Sequence, residues 1–240
     1  RAIKACPEGR ARIGAILGMV TSSIALTGGG TALERAIQHL RRELTAQILP
    51  DGGHVSRSPS QHYAILADLI SIREALASGG HAPPGELTGS INRLALAARF
   101  FRHGDGSLAL FNSSNEIPTN AQGLDIDTIL AAAPTKEKIP ASLNQTGYER
   151  LTAAGTLVLV DMGGPPQPRF CDQAHAAPLA FEMSIGRERL IVNCGAHRNP
   201  QWRMAGRSTA AHSTLTLADT NAIELEEPGG VGKRRCVVTS

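Results

Sequence analysis

The chain has 240 residues, enough for one large or two modest domains, and its 42% hydrophobic content supports a real core. A net charge of +3 with scattered basic residues, and only 3% aromatics, argue against a nucleic-acid reader, which needs a basic stripe and stacking rings. No apolar run reaches the roughly 18 residues of a membrane span.

The chain opens on Arg1 and closes on "KRRCVVTS", which reads as a strand just begun. Both ends are therefore expected to continue into a longer polypeptide, which would carry any targeting signal. Cys6, Cys171, Cys194 and Cys236 show no CxxC spacing. That argues against a zinc ribbon or thioredoxin motif and for free thiols.

The first half has a helical period. An apolar segment from Ile13 to Leu26 precedes "TGGG" and predicts a helix. Leu33, Ile37, Leu40, Leu44 and Ile48 follow the i, i+3/i+4 rule up to "LPDGG". Ile65, Leu69, Ile72 and Leu76 mark another helix, ended by "SGGHAPPG", and Leu87, Ile91, Leu94, Ala98 and Phe101 one more. These predict antiparallel helical hairpins. Residues 112–146 are polar and predict a linker or long loop, with a short helix at Asp127–Ala133. After it the period becomes two. "TLVLVD", "LAFEMSI", "RLIVNC" and "STLTLA" predict short strands between Gly, Pro and Asn punctuation. Helices first and strands second predict segregated layers with an antiparallel sheet. The expected division is 1–111 helical, 112–146 linker and 147–240 strands.

Some polar side chains sit beside loop chemistry. "PDGGHVSRSP" presents His54 and Arg57 in a glycine turn, with Ser58 and Pro59 opening a helix. It reads either as a ligand-facing turn or as a helix connection with a polar rim. "FFRHGDG" packs Arg102, His103 and Asp105 into a loop. There an Arg can grip a carboxylate in bidentate fashion, or Asp105 and Gly106 simply form a turn. His175, Asn193 and His212 fall at strand ends, where residues distant in sequence can converge; His212 is expected to begin a strand. His39 reads as solvated and His81 as a turn residue.

Taken together, "ILPDGGHVSRSP…H", "HAAPLAFEMSIGRERLIVNCG" and "W-R…RSTAAHSTLTL" resemble the heparinase II/III-like polysaccharide lyases, in order and spacing, over about residues 10–220. The resemblance implies a partial (α/α) toroid followed by a truncated antiparallel β-sandwich. It also implies β-elimination on uronic-acid-containing anionic polysaccharides or oligosaccharides, and a cell-envelope or periplasmic location. The reaction neutralises the carboxylate beside C5, removes the C5 proton and protonates the departing O4. The implied base and acid are drawn from His212, His175, His54 and Tyr148. The implied substrate contacts are Arg57, Arg102, His103 and Arg207. In some members the positions of His175, Asn193 and His212 hold a structural zinc.

The sequence also departs from the family. Ala177 and Asn193 stand where the family has Asp, and Gln61 stands where many members have Tyr before His62. Tyr63 lies about 200° further round a helix and cannot take its place. The Asn-His pair of an earlier toroid helix is missing from residues 8–25. These departures support an alternative: a catalytically impaired glycan-binding or cell-envelope assembly protein on the same fold.

Overall fold

The computed structural model describes residues 2–26, 28–115, 125–171, 174–197, 199–226 and 231–234. Cys236 and the end of the predicted terminal strand lie outside them. A short turn of helix, α1 (Ala2–Ala5), leads into α2 (Arg10–Ala25), α3 (Gly30–Gln47), α4 (Pro59–Ser78) and α5 (Gly85–Phe100). Helix α3 is amphipathic and buries Leu33, Ala36, Leu40 and Leu44. Helix α4 is apolar nearly all round, and it lies against α2, α5 and the later α6 (Ile126–Ala132). Ser58 Oγ accepts from Gln61 N at its start, with Pro59 in the first turn.

The second half forms a five-stranded sheet in the order β1 (Ser142–Leu143), β2 (Tyr148–Ala153), β3 (Thr156–Asp161), β4 (Phe181–Ile185), β5 (Glu188–Ile191). Every neighbouring pair is antiparallel. Helix α7 (Pro200–Arg207) and the antiparallel pair β6 (Ile223–Leu225) and β7 (Val231–Arg234) follow. The fold is therefore toroid-type helices followed by an antiparallel sheet, as the change of period predicts.

Strand β3 alternates, turning Leu157, Leu159 and Asp161 inward. Leu157 and Leu159 join Phe100, Phe101, Phe111 and Tyr148 in one core cluster, which fastens the end of α5 to the sheet. The glycine turn after α3 comes equally close. A Cβ on Gly53 would collide with Thr146, and one on Gly163 with the Arg57 guanidinium.

Three local expectations are corrected. "STLTLA" is not a strand: Leu215 and Leu217 are 81% and 73% exposed, and only an isolated Leu217–Thr220 bridge forms. His212 therefore follows a 3-10 turn (Thr209–Ala211) and does not begin a strand. Strand β2 and helix α7 were not expected. Helix α7 is short and polar on average, and its start is marked locally: Asn199 Oδ1 accepts from Gln201 N, and Pro200 opens the first turn.

Candidate functional site

Three of the expected residues meet in a hydrogen-bond chain whose direction can be worked out atom by atom. The backbone N–H of Ser113 donates to His175 Nε2 at 3.0 Å. A backbone amide has only a donor, so that nitrogen carries a lone pair. In a neutral ring the proton is then on Nδ1, which donates to His212 Nε2 at 3.1 Å. His212 in turn carries its proton on Nδ1 and donates to Asn193 Oδ1 at 3.2 Å. Asn193 Nδ2 donates to Glu182 Oε1 at 3.1 Å. That oxygen also accepts from the backbone N–H of Leu110 and of Asn193, while Oε2 lies 2.8 Å from His103 Nε2. Ser184 Oγ contacts the other His103 nitrogen at 3.0 Å. The chain ties the 103–113 loop to β4 and to the residues after β5.

Burial keeps the two central rings neutral. It lowers His175 well below the usual histidine value, helped by His212 and Arg207, and it lowers His212 to about 4. His212 is half-buried and His175 is buried.

A second cluster joins this one through Asn112. Arg57 pairs with Asp161 and donates to the carbonyls of Thr146, Gly147 and Gly164. Burial alone would lower its pKa, but Asp161 and Tyr148 together outweigh that and raise it, so the guanidinium stays charged. Tyr148 donates to Arg57 O at 2.7 Å and accepts from Asn112 Nδ2 at 3.0 Å. Burial, then Asp161, pushes the phenol up. Asn112 Oδ1 accepts the His175 N–H at 3.2 Å. Arg57, Asn112 and Ser113 have φ of 57°, 39° and 60°. Left-handed backbone at non-glycine residues is held only where surrounding bonds enforce it. Here it aims the Ser113 amide at His175.

Of the other expected residues, His54 and Arg102 stand elsewhere, while Arg207 lies beside His175. The His54 ring contacts Ser56 Oγ at 2.7 Å and Gln47 Oε1 at 3.1 Å, and burial lowers it to about 3. Arg102 pairs with Asp127 at 2.8 Å, near the opposite end of β3 from the His175–His212 pair. Arg207 is buried and donates to Ala174 O at 2.8 Å.

The residues do not fit the zinc implied by the resemblance. His175 contacts Nε2 of His212 and Asn193 contacts Nδ1. The two nitrogens of an imidazole point away from each other, so His175 and Asn193 cannot share one ion with that ring. Asn193 also spends its amide on Glu182, and an amide oxygen is a poor zinc ligand. Among the described residues, no group of three His, Cys, Asp or Glu side chains is placed to hold a metal ion.

Asp161 and Glu182 were missed in the sequence. Asp161 looked like a polar strand end. Glu182 looked like the solvent side of an alternating strand, yet it is 0% exposed.

Residues 135–239 match the family described as heparinase II/III-like, C-terminal. This region is similar to that family. The heparinase-like fold extends to the helices. A solved structure of heparinase III superposes with a TM-score of 0.69 at 16% identity, covering 93% of this chain and 42% of that one. The heparan sulfate lyase HepC from Pedobacter heparinus gives 0.64 at 16% identity, covering 90% and 38%. In sequence, the heparinase-like chain is 32% identical over 223 residues to "FtsZ-localized protein C" of Caulobacter vibrioides (strain NA1000 / CB15N), over 92% of this chain and 38% of that protein. The chain thus spans about two fifths of the relatives it matches. Among the described residues, no helix is long and apolar enough to cross a membrane.

Proposed function

We propose that this chain is part of a cell-envelope assembly protein that uses a heparinase-like fold to hold an anionic polysaccharide without cleaving it. One observation carries the reading: the groups that would act as base or acid are already engaged inside the chain. Both ring nitrogens of His175, His212, His54 and His103 have partners, and so does the Tyr148 hydroxyl. A general base needs a lone pair aimed at the substrate proton. Gln61, standing where the resemblance expects tyrosine, agrees with this. A cleft of about 500 Å3 lies between the turn after α3 and the β1–β2 turn, lined by Asn144, Gln145, Thr146 and Gln167, whose polar side chains suit sugar hydroxyls. The FtsZ-localised relative supports a place at the cell envelope.

The test is incubation of the full-length protein with heparan sulfate and other uronic-acid polymers. The expected result is retention on the immobilised polymer with no gain in the ultraviolet absorbance of a conjugated 4,5-unsaturated uronate. A gain in absorbance overturns the reading. So would recovery of the tagged protein away from the envelope fraction, for its location.

The half-exposure of His212 favours a second reading, in which the fold is an active lyase and His212 its base once His175 swings aside. Under it, His212→Ala lowers kcat by about 10²-fold or more.

A further inference from the structure

At the hairpin end of β2–β4 lies an open trough of about 660 Å3, walled by Arg99, Arg102 and Arg150 and floored by Leu130, Pro134 and Ile139. Two smaller depressions of about 350 and 320 Å3 adjoin it, both bordered by Arg150 and Thr152, the second also by Lys138. We infer that this trough docks an acidic peptide segment of a partner protein, laid as a short strand beside β2.

Charge is the first argument. Among the described residues, the Arg99 side chain donates only to the carbonyls of Ala95, Leu130 and Ala133, and that of Arg150 only to Phe100 O. Arg102 donates to Gly106 O and pairs with Asp127, whose side chain is 81% exposed. Among the described residues, only Arg102 of the three is ion-paired, and Asp105, the acid of its loop, pairs with Arg189. Burial lowers the pKa of both Arg99 and Arg150, and the Arg102 cation adds to the effect at Arg99. Partly desolvated cations held in place by carbonyls gain more from an arriving carboxylate than cations in open water.

The backbone is the second argument. Strand β1 covers β2 only at Tyr148 and Glu149. Arg150 N–H still reaches Ala141 O. By the alternation of an antiparallel ladder, the N–H and C=O of Thr152 point the same way, past the end of β1. Thr152 is exposed there and borders the trough. An uncovered edge is where an extended peptide adds a strand.

These features favour peptide over glycan. The trough residues offer no side-chain amide or carboxylate to accept sugar hydroxyls, and the one ring, His103, is closed off by Glu182 and Ser184. The aliphatic floor suits Val or Leu. Thr156 borders the adjoining depression and Asp161 pairs with Arg57, so the length of β3, roughly 16 Å, lies between that depression and the Arg57–Asp161 pair, and His103 is where the trough meets the hydrogen-bond chain. The inference goes beyond the glycan reading and stands or falls without it.

The test uses the full-length protein and a fluorescein-labelled synthetic peptide of alternating Glu and Val. It should bind, and the Gln/Val counterpart should not. Arg150→Glu and Lys138→Glu, each with an unchanged circular dichroism spectrum, should weaken binding, by about tenfold or more for Arg150→Glu. Lys138 is exposed and serves if Arg150→Glu does not fold. No binding of the Glu/Val peptide, equal binding of the Gln/Val peptide, or unchanged affinity in the folded variants would overturn the inference. So would tighter binding of a heparin oligosaccharide that competes with the peptide and is lost in the same variants, which would make the trough a glycan site.

Discussion

Asn193 stands where the resemblance implies an aspartate. Its amide is bifunctional: Oδ1 accepts from His212 and Nδ2 donates to Glu182. Aspartate has no donor, so Asn193→Asp would set two carboxylates against each other in a buried place. Its folded-state pKa would rise above the unfolded value near 4, through repulsion from Glu182 and through burial. A carboxyl with a raised folded pKa destabilises above the unfolded pKa, and the penalty fades as pH falls toward that value. The variant should lose about 2–4 kcal/mol at pH 7 relative to the parent, and the gap should narrow toward pH 4. Urea unfolding of both proteins at matched pH measures this. A gap independent of pH would mean that Glu182 is not the cause. The same geometry predicts that zinc adds no stability to the parent. A saturating ion selective for the folded state raises stability by several kcal/mol at about 1,000 times its Kd, so an upward shift of Tm on adding zinc would restore the metal site.

At the scale of elements, the helices were legible because one apolar stripe faces one core. The sheet was legible in part, and its chemistry was hidden by the alternation itself. In β4, Phe181, Met183 and Ile185 share one face and Glu182 and Ser184 the other. Read as a half-buried strand, the polar face belongs in water. In the fold it is the buried one, at 0% and 1% exposure, while Ile185 is 46% exposed. The reason lies in a loop that no strand period describes: Leu110 N–H and the His103 ring need acceptors, and β4 provides them. The three histidine-chain residues could be listed from the family resemblance, but the order of their protons required the Ser113 amide. Arg57 shows the same limit. The resemblance implies a substrate contact for it, and in the fold it lines the cleft of about 500 Å3 while also joining the turn before α4 to the β2–β3 region, a link that no local motif marks. Arg57→Ala should therefore cost about 3–5 kcal/mol by leaving Asp161 buried without its partner. Pairing it with Asp161→Ala should recover part of the loss. A double-mutant cycle in guanidinium checks this, and strict additivity would show that the two groups do not act as a pair.

Across the molecule, burial keeps His54, His62, His175 and His212 neutral, and that shapes its pH range. Burial lowers His54 to about 3, His62 to about 4 and His212 to about 4, from a usual value near 6.5. The His62 Nε2 donates to Leu94 O, and its Nδ1 has no partner among the described residues, so a second proton would sit in apolar surroundings. Between pH 6.5 and 4 the unfolded chain binds protons at these rings and the folded chain does not. Stability then rises with pH across that window: it is fully present above 6.5 and drains away as pH falls toward 4. Each group contributes a slope of up to about 1.4 kcal/mol per pH unit, so these three together with His175, which is lowered as well, reach roughly 5.5. Because these rings lie in the helices, at the helix–sheet junction and beside the sheet, the loss should be one cooperative transition and not a local fraying. Guanidinium unfolding followed by circular dichroism from about pH 7.5 down to 4.5 should give midpoints that are flat above 6.5 and fall steeply below it. Replacing His54 with Gln, which keeps a neutral polar side chain at the Gln47 contact, should flatten the slope by about one group's share. Midpoints that stay level down to the carboxylate range would show that the folded chain takes up these protons without penalty, and that the rings are less enclosed than the fold implies.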